Sequence, residues 1–289
     1  MSDRAPQALG TLLAELAANL ETAGVSLARD EARDIVAAVL DVPRFWPSTN
    51  RDALIDATAV DEARHAAAAR ARGAPFAYAV GRAAFRHMTL AVDSRVLIPR
   101  QETEVLIDIV LEAEHGGRGT VVDVGTGSGA IALALATEGR FDRVIATDVS
   151  LDALAVAEQN AVFLRDDLHA PVDFLHGSTL APVAGLHVQA IVSNPPYIAF
   201  GELEDLPASV RDWEPPLALL SADQGLAMTH AIICEARAVL EPSGLLAFEV
   251  DTRRASLVAE ALAAHGSYGD VAVRLDLTGR ERFVLARRR

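Results

Sequence analysis

The chain has 289 residues, 51% of them hydrophobic, a formal net charge of −14 and a single cysteine. This describes one large or two modest globular domains and excludes a disordered chain, a disulfide framework and a membrane-length apolar run. The acidic balance argues against nucleic acid as the main partner, and with no leader pattern at the start the expected location is the cytoplasm.

Leu9, Leu12, Leu13, Leu16 and Leu20 recur at three- and four-residue steps, one face of an amphipathic helix that stops near Gly24. A second helix is predicted over 30–40, with Ile35, Val36, Val39 and Leu40 on its apolar side. A third is predicted over 61–72, closed by Gly73 and Pro75. Residues 1–83 thus read as a small helical domain without catalytic pattern, suited to substrate recognition or to a lid. The period then changes. Phe85, Met88, Leu90, Val92, Val96 and Ile98 suggest two strands around an Asp93-Ser94 turn, a β-hairpin linker over 84–99. A helix over 105–111 follows, with Thr103 as its N-cap.

From residue 100 to 289 strands and helices alternate. Strands are expected over 120–124, 143–147, 172–175, 190–193 and 245–250, and helices over 130–137, 151–163, 228–240 and 256–265. Two further strands, 271–275 and 283–286, close the chain as an antiparallel pair. The fold class is α/β, a doubly wound, mostly parallel sheet. Cys234 reads as a core cysteine, Arg287-Arg288-Arg289 as a solvated tail, and the scattered histidines suggest no metal site; the default state is a monomer.

Two strand ends carry the chemistry, at the carboxyl edge where α/β sheets collect ligands. Asp123-Val124-Gly125-Thr126-Gly127-Ser128-Gly129-Ala130 lies between a strand and a helix, where glycines let a ligand approach the backbone. Read as Gly125-x-Gly127-x-x-Ala130, the same loop fits a dinucleotide fingerprint, so it does not separate a nicotinamide cofactor from S-adenosyl-L-methionine. Asp148, at the end of the second strand, is placed for ribose hydroxyls in either case; its structural alternative is a carboxylate bracing the helix start at Ser150.

Ser193-Asn194-Pro195-Pro196-Tyr197 separates the two. Two prolines remove two backbone donors and fix φ twice, which leaves a rigid extended corner. It offers the Asn194 amide, backbone carbonyls and the Tyr197 ring to one small space, a receptor for a planar NH2 group; the plainer alternative is a strand-terminating turn. A hydride-transfer enzyme has no use for such a corner. An amide-methylating enzyme does, because acceptors at the Asn194 side-chain oxygen and the Pro195 carbonyl orient the nitrogen and favour the charge developing on it. An exocyclic adenine NH2 poses the same problem, but the acidic charge and the lack of a basic target-recognition region count against it.

These segments resemble the HemK/PrmC protein-(glutamine-N5) methyltransferases, which modify peptide chain release factors. The likeness also covers Pro75-Phe76-Ala77-Tyr78-Ala79-Val80-Gly81, Val96-Leu97-Ile98-Pro99-Arg100-Gln101-Glu102-Thr103-Glu104 and Thr278-Gly279-Arg280-Glu281-Arg282-Phe283-Val284-Leu285-Ala286. It implies a seven-stranded class I methyltransferase sheet over 100–289 and a substrate-recognition domain over 1–83. Gly125, Thr126, Gly127, Ser128, Gly129, Asp148 and Asn194 would hold S-adenosyl-L-methionine. Asn194, Pro195, Pro196 and Tyr197 would hold the glutamine of a Gly-Gly-Gln loop, with Asn194, Pro195 and Tyr197 carrying catalysis. Arg100, Glu102 and Ser178 would lie at the cleft. The chain departs from the family pattern at Gln101, at Ser178, at Gln224 inside an Asp-Gly-Leu stretch, and over Asp251-Thr252-Arg253-Arg254. These departures leave a second reading open, a divergent N-methyltransferase for a small molecule or another protein; a non-catalytic nucleotide binder comes last.

Overall fold

Val121, Val122 and Val124 explain why the sheet is covered on both faces. In the computed structural model, which describes residues 6–289, Val121 faces one apolar layer while Val122 and Val124 face the other, all fully buried. The same alternation runs through Val144 and Ala146 against Ile145, and through Ala190 and Val192 against Ile191. Strands buried on both sides need continuous apolar runs, and these have them.

The hairpin strands are β1 (Arg82–Phe85) and β2 (Met88–Ala91). The main sheet is built from β3 (Thr120–Val124), β4 (Arg143–Asp148), β5 (Val172–His176), β6 (Val188–Ser193), β7 (Leu240–Glu249), β8 (Tyr268–Leu275) and β9 (Glu281–Arg288), in the order β8-β9-β7-β6-β3-β4-β5. β3 to β7 are parallel, and β9 runs antiparallel to both its neighbours. One face is covered by Gln101–Ala113 and Ala130–Glu138, the other by Ala227–Val239 and Ala255–His265. Among the described residues no helix is long and apolar enough to cross a membrane.

Contacts divide the chain into two units, residues up to Arg82 with Pro207–Trp213, and Ala83–Leu206 with Glu214–Arg289. In the first, Leu9–Thr22 buries Leu9, Leu12, Leu16 and Leu20 against Ile35 and Val36 of Ala28–Leu40. Ala57–Ala71 adds a small-residue face, Ala59, Ala63, Ala66 and Ala67. It starts four residues earlier than the periodicity suggests because Asp56 caps it, accepting from Thr58 N and Ala59 N at 3.0 and 3.1 Å.

Several expectations are corrected. The hairpin turns at Arg86 and His87, not at Asp93-Ser94, and Val96 and Ile98 lie outside its strands. Arg86 accepts a left-handed backbone (φ 52°) because tertiary partners hold it: Glu138 at 2.6 Å, Asp108 at 2.8 Å and the Glu104 carbonyl at 2.8 Å. The helix expected from 105 is Gln101–Ala113 with Arg100 at its N-cap, so Thr103 sits inside the first turn and is 4% exposed. Cys234 is exposed. The terminal arginines are held: Arg287 pairs with buried Glu114 and donates to the Ala113 carbonyl at 2.6 Å, and Arg288 donates to the Leu240 carbonyl. β7 also begins earlier, with Pro242-Ser243-Gly244 as a bulge where the register jumps from Val188/Leu240 to Ala190/Leu245.

Candidate active site

Ser193, the last residue of β6, donates its hydroxyl to the Val124 carbonyl at 2.7 Å. That bond joins the two points where the glycine loop and the Asn194 corner leave the sheet. The loop then folds back over β4, with Gly125 N and Thr126 N both donating to the Thr147 carbonyl at 2.8 and 3.0 Å. Gly125 and Gly127 have φ of 76° and 56°, a region costly for any residue with a Cβ. Asp148 serves two neighbours at once. Its Oδ2 accepts from Gly127 N and its Oδ1 from Ser150 N, each at 2.9 Å, while Ser150 caps the helix Leu151–Phe163 through Ala153 N. One bond on each oxygen leaves the remaining lone pairs for a ligand.

These groups surround a cavity of about 420 Å³, walled by Gly125, Gly127, Asp148, Ser178, Asn194 and Pro196 and by the apolar side chains of Leu97, Val149, Leu217 and Met228. Its size suits a small-molecule site. Thr126, Ser128 and Gly129 support the loop from behind. The Thr126 hydroxyl donates to Asp123 Oδ2 at 2.6 Å, and the Ser128 carbonyl accepts from Asn160 Nδ2 at 2.9 Å. A Cβ on Gly129 would lie 3.0 Å from Leu133 Cδ1 and 3.2 Å from Ala157. Asp123 is fully buried, and burial pushes its carboxyl up to about 7 against the hydrogen bonds from Thr126 and Ala132.

The Asn194 corner is stitched at its far end, where Ile198 N donates to the Leu219 carbonyl at 3.0 Å and Ser221 N to the Ile198 carbonyl at 2.9 Å. Pro195 is buried and Pro196 faces the cavity. Tyr197 is half-buried, its phenol pushed up to about 12 by burial and by nearby Glu249. Asn194 Nδ2 donates to Thr103 Oγ1 at 3.2 Å. Among the described residues neither Asn194 Oδ1 nor the Pro195 carbonyl accepts a hydrogen bond.

The cleft candidates separate. Ser178 is exposed on the cavity wall. Arg100 instead pairs with Glu214 at 2.6 Å, and Glu102 is exposed in the first turn of its helix; neither lines the cavity. Glu214, 2% exposed, also accepts from Ile98 N at 3.2 Å and so holds the segment that brings Leu97 to the wall. Glu214, Thr103 and Glu249 were not legible as site residues; the one available signal was a carboxylate placed before the second double proline, Glu214-Pro215-Pro216. Among the described residues no cluster of His, Cys, Asp and Glu is gathered to hold a metal.

Residues 11–81 match the PrmC N-terminal domain and residues 100–206 the methyltransferase small domain. The chain is similar to the release factor glutamine methyltransferase of Moorella thermoacetica, 40% identical over 286 residues that cover 98% of each chain. The protein of the same name from Deinococcus radiodurans is 37% identical over 97% of this chain and 98% of its own, and that of Mycolicibacterium smegmatis is 37% identical over the same shares. Among solved structures, a methyltransferase from Pyrococcus furiosus aligns with TM-score 0.51 at 18% identity, over 69% of this chain and 87% of that one. The hMettl16 catalytic domain, solved with an RNA hairpin, aligns with TM-score 0.52 at 17% identity over 83% and 84%. At such identities these two structures bear on the fold alone.

Proposed function

We propose that this chain, which belongs to the release factor glutamine methyltransferase family, transfers a methyl group from S-adenosyl-L-methionine to the side-chain amide nitrogen of the glutamine in the Gly-Gly-Gln loop of a peptide chain release factor. The observation that carries this reading is the pair of unpaired acceptors, Asn194 Oδ1 and the Pro195 carbonyl, on a corner whose Asn194 and Pro196 face the cavity. An amide nitrogen is a poor nucleophile because its lone pair is delocalised into the carbonyl. Acceptors on both N–H bonds orient that nitrogen and stabilise the positive charge that grows on it during attack. The proton leaves after transfer, so no general base has to act first. Tyr197, protonated throughout the neutral range, supplies a flat wall to the planar group.

The cavity fits the proposed cofactor. Gly125 and Gly127 expose backbone without a Cβ, Asp148 keeps lone pairs that would take ribose hydroxyls, and Val149, Leu97 and Met228 would give an adenine ring apolar contact. When bound, the cofactor supplies an electrophilic methyl group on a sulfonium. Asn194, on the cavity wall, would serve both the cofactor and the acceptor amide. In this reading 1–83 is the substrate-recognition domain, joined through 84–99 to the catalytic domain 100–289, and the enzyme is a cytoplasmic monomer acting in translation termination.

The test is methyl transfer from labelled cofactor to a purified bacterial release factor, beside a variant with alanine in place of the loop glutamine. Label on the wild type alone is the expected result. No label, with cofactor binding intact, would transfer the proposal to a small-molecule or other protein acceptor.

A further inference from the structure

One buried side chain joins the glycine loop to the hairpin. Asn160, on the helix Leu151–Phe163, is 1% exposed and uses its oxygen and both of its amide protons. Oδ1 accepts from Ala91 N at 2.7 Å, and Nδ2 donates to the Ala91 carbonyl at 3.0 Å and to the Ser128 carbonyl at 2.9 Å. The amide has one workable orientation. Reversed, its NH2 would face the Ala91 N–H and its oxygen would face two carbonyls. The bond to Ser128 fixes more than one atom. The Ser128 carbonyl and the Gly129 N–H belong to one planar trans peptide and point opposite ways, and Gly129 N donates to the Thr126 carbonyl at 2.9 Å. Held on both edges, that peptide closes the turn 126–129, which carries Gly127 to the cavity wall and to Asp148. On its other side Asn160 bonds both the N–H and the carbonyl of Ala91, as a neighbouring strand would, at the end of β2. Ala91 leads directly to Arg95, Val96 and Leu97, which also wall the cavity.

We infer that Asn160 is a positioning residue for the cofactor: through the Ser128-Gly129 peptide and through Ala91 it holds two walls of the cavity, the glycine loop and residues 95–97, at a fixed spacing. The inference rests on the cofactor reading above and deepens it. Without the Asn160 amide, Ala91 N and the carbonyls of Ala91 and Ser128 lose these partners, and each buried group left unpaired favours a backbone shift. Loop and hairpin then move independently. A ligand in the cavity has to restore their spacing itself, and its affinity falls. Linkage makes the same statement testable in the unaltered protein. By whatever factor breaking the Asn160 bonds weakens the cofactor, bound cofactor suppresses their breaking by the same factor.

The experiment measures cofactor Kd by calorimetric titration, with Tm and steady-state kinetics on a release factor, in the wild type, Asn160→Ala and Asn160→Leu. Asn160→Ala removes the amide and opens space, whereas Asn160→Leu fills the space without a hydrogen-bonding group. Both are expected to raise cofactor Kd at least about tenfold, while release-factor KM and kcat at saturating cofactor stay within about threefold. A purely structural role lowers Tm and leaves Kd in place well below Tm. In the wild type, saturating S-adenosyl-L-methionine should slow hydrogen exchange of the Ala91 amide and the Asn160 side-chain NH2 at least about tenfold more than that of amides in Ala28–Leu40, which lie outside the cavity. A variant with wild-type Kd, or an Ala91 amide whose exchange does not respond to the cofactor, would overturn the inference. If the variants do not fold, exchange in the wild type decides alone. If the wild type binds no S-adenosyl-L-methionine, the cofactor reading fails, and the loop amides decide this one. Faster exchange at Gly127 and Gly129 in Asn160→Leu than in the wild type supports the positioning role, and unchanged protection refutes it.

Discussion

The Arg254 guanidinium donates through Nε to the Gln224 carbonyl at 2.7 Å. Both residues depart from the family pattern, so two of the departures lean on each other. Asp223 and Gln224 adopt left-handed backbone (φ 53° and 52°), a conformation that non-glycine residues keep only when neighbours hold them. Gly225 follows with φ 89°, so close beneath the corner that an added Cβ would lie 2.2 Å from the Tyr197 carbonyl. Arg254 binds Glu202 at 2.7 Å and Asp251 at 3.3 Å as well. The pair thus forms a fixed floor under Tyr197. Arg254→Ala removes a buried guanidinium from two partly exposed carboxylates, Glu202 and Asp251, and should cost about 1 kcal/mol of stability. It should also raise KM for the release factor more than cofactor Kd. Arg254→Lys should not recover the loss, since one ammonium does not span three partners in a plane. Thermal unfolding and steady-state kinetics read both effects; wild-type KM in Arg254→Ala would detach this floor from acceptor binding.

Asp148 has a different dependence. Its two oxygens hold Gly127 N and Ser150 N, so its removal loosens the loop and the helix start together while deleting the proposed ribose acceptors. Asp148→Ala should weaken cofactor binding at least about tenfold, roughly 1.4 kcal/mol or more, in line with the loss of hydrogen bonds to a charged group. Calorimetric titration of the cofactor measures it directly. A wild-type Kd would place the ribose elsewhere.

What could be read in advance follows from how local each signal is. Val121, Val122 and Val124 announce a doubly buried strand because both faces of a parallel strand are apolar in the sequence itself, and Gly125 to Gly129 announce a loop because glycine adopts such backbone without the cost a Cβ brings. Asn194-Pro195-Pro196-Tyr197 is legible for the same reason, two fixed φ angles in a row. Arg86 is not, since its left-handed turn is held by Glu138 and Asp108, residues distant in sequence. Thr103 looks like a cap from its neighbours alone; only the docking of its helix beside the sheet brings its hydroxyl to Asn194. Glu249 reads as the polar end of an apolar strand. Its burial comes from the strand order, which sets β7 between β6 and β9.

Asn194→Ala separates chemistry from cofactor binding. The side chain contributes one acceptor to the nitrogen and one bond to Thr103, and the fold keeps Ser193, Pro195 and the Ile198–Leu219 bond that hold the corner. Turnover should fall by about 10²-fold or more, the usual loss when one preorganised polar partner of a developing charge is removed. Cofactor Kd should stay within a few fold. Single-turnover methylation under saturating cofactor is the measurement, and an unchanged rate would remove Asn194 from the chemistry.

The pH dependence of stability has a sign set by two buried acids. Burial pushes both Asp123 and Glu249 up to about 7. A carboxyl with a folded pKa above its unfolded one binds a proton on folding, so its contribution is complete below about pH 4 and is lost as pH rises through about 7. Asp276 works in the opposite window. The Thr278 hydroxyl and the backbone N–H groups of Arg280 and Thr278 hold it down at about 2, so its contribution is present above the usual carboxylate range and is lost as pH falls towards 2. The windows leave a stability maximum at mildly acidic pH, and Tm should be higher near about pH 6 than near about pH 8. The double variant Asp123→Asn, Glu249→Gln should flatten that difference, because neither amide titrates and the Asp123→Asn side chain keeps an oxygen for the present donors Thr126 and Ala132. If the slope persists in the double variant, it belongs to the repulsion within a chain of net charge −14 and not to these two carboxyls.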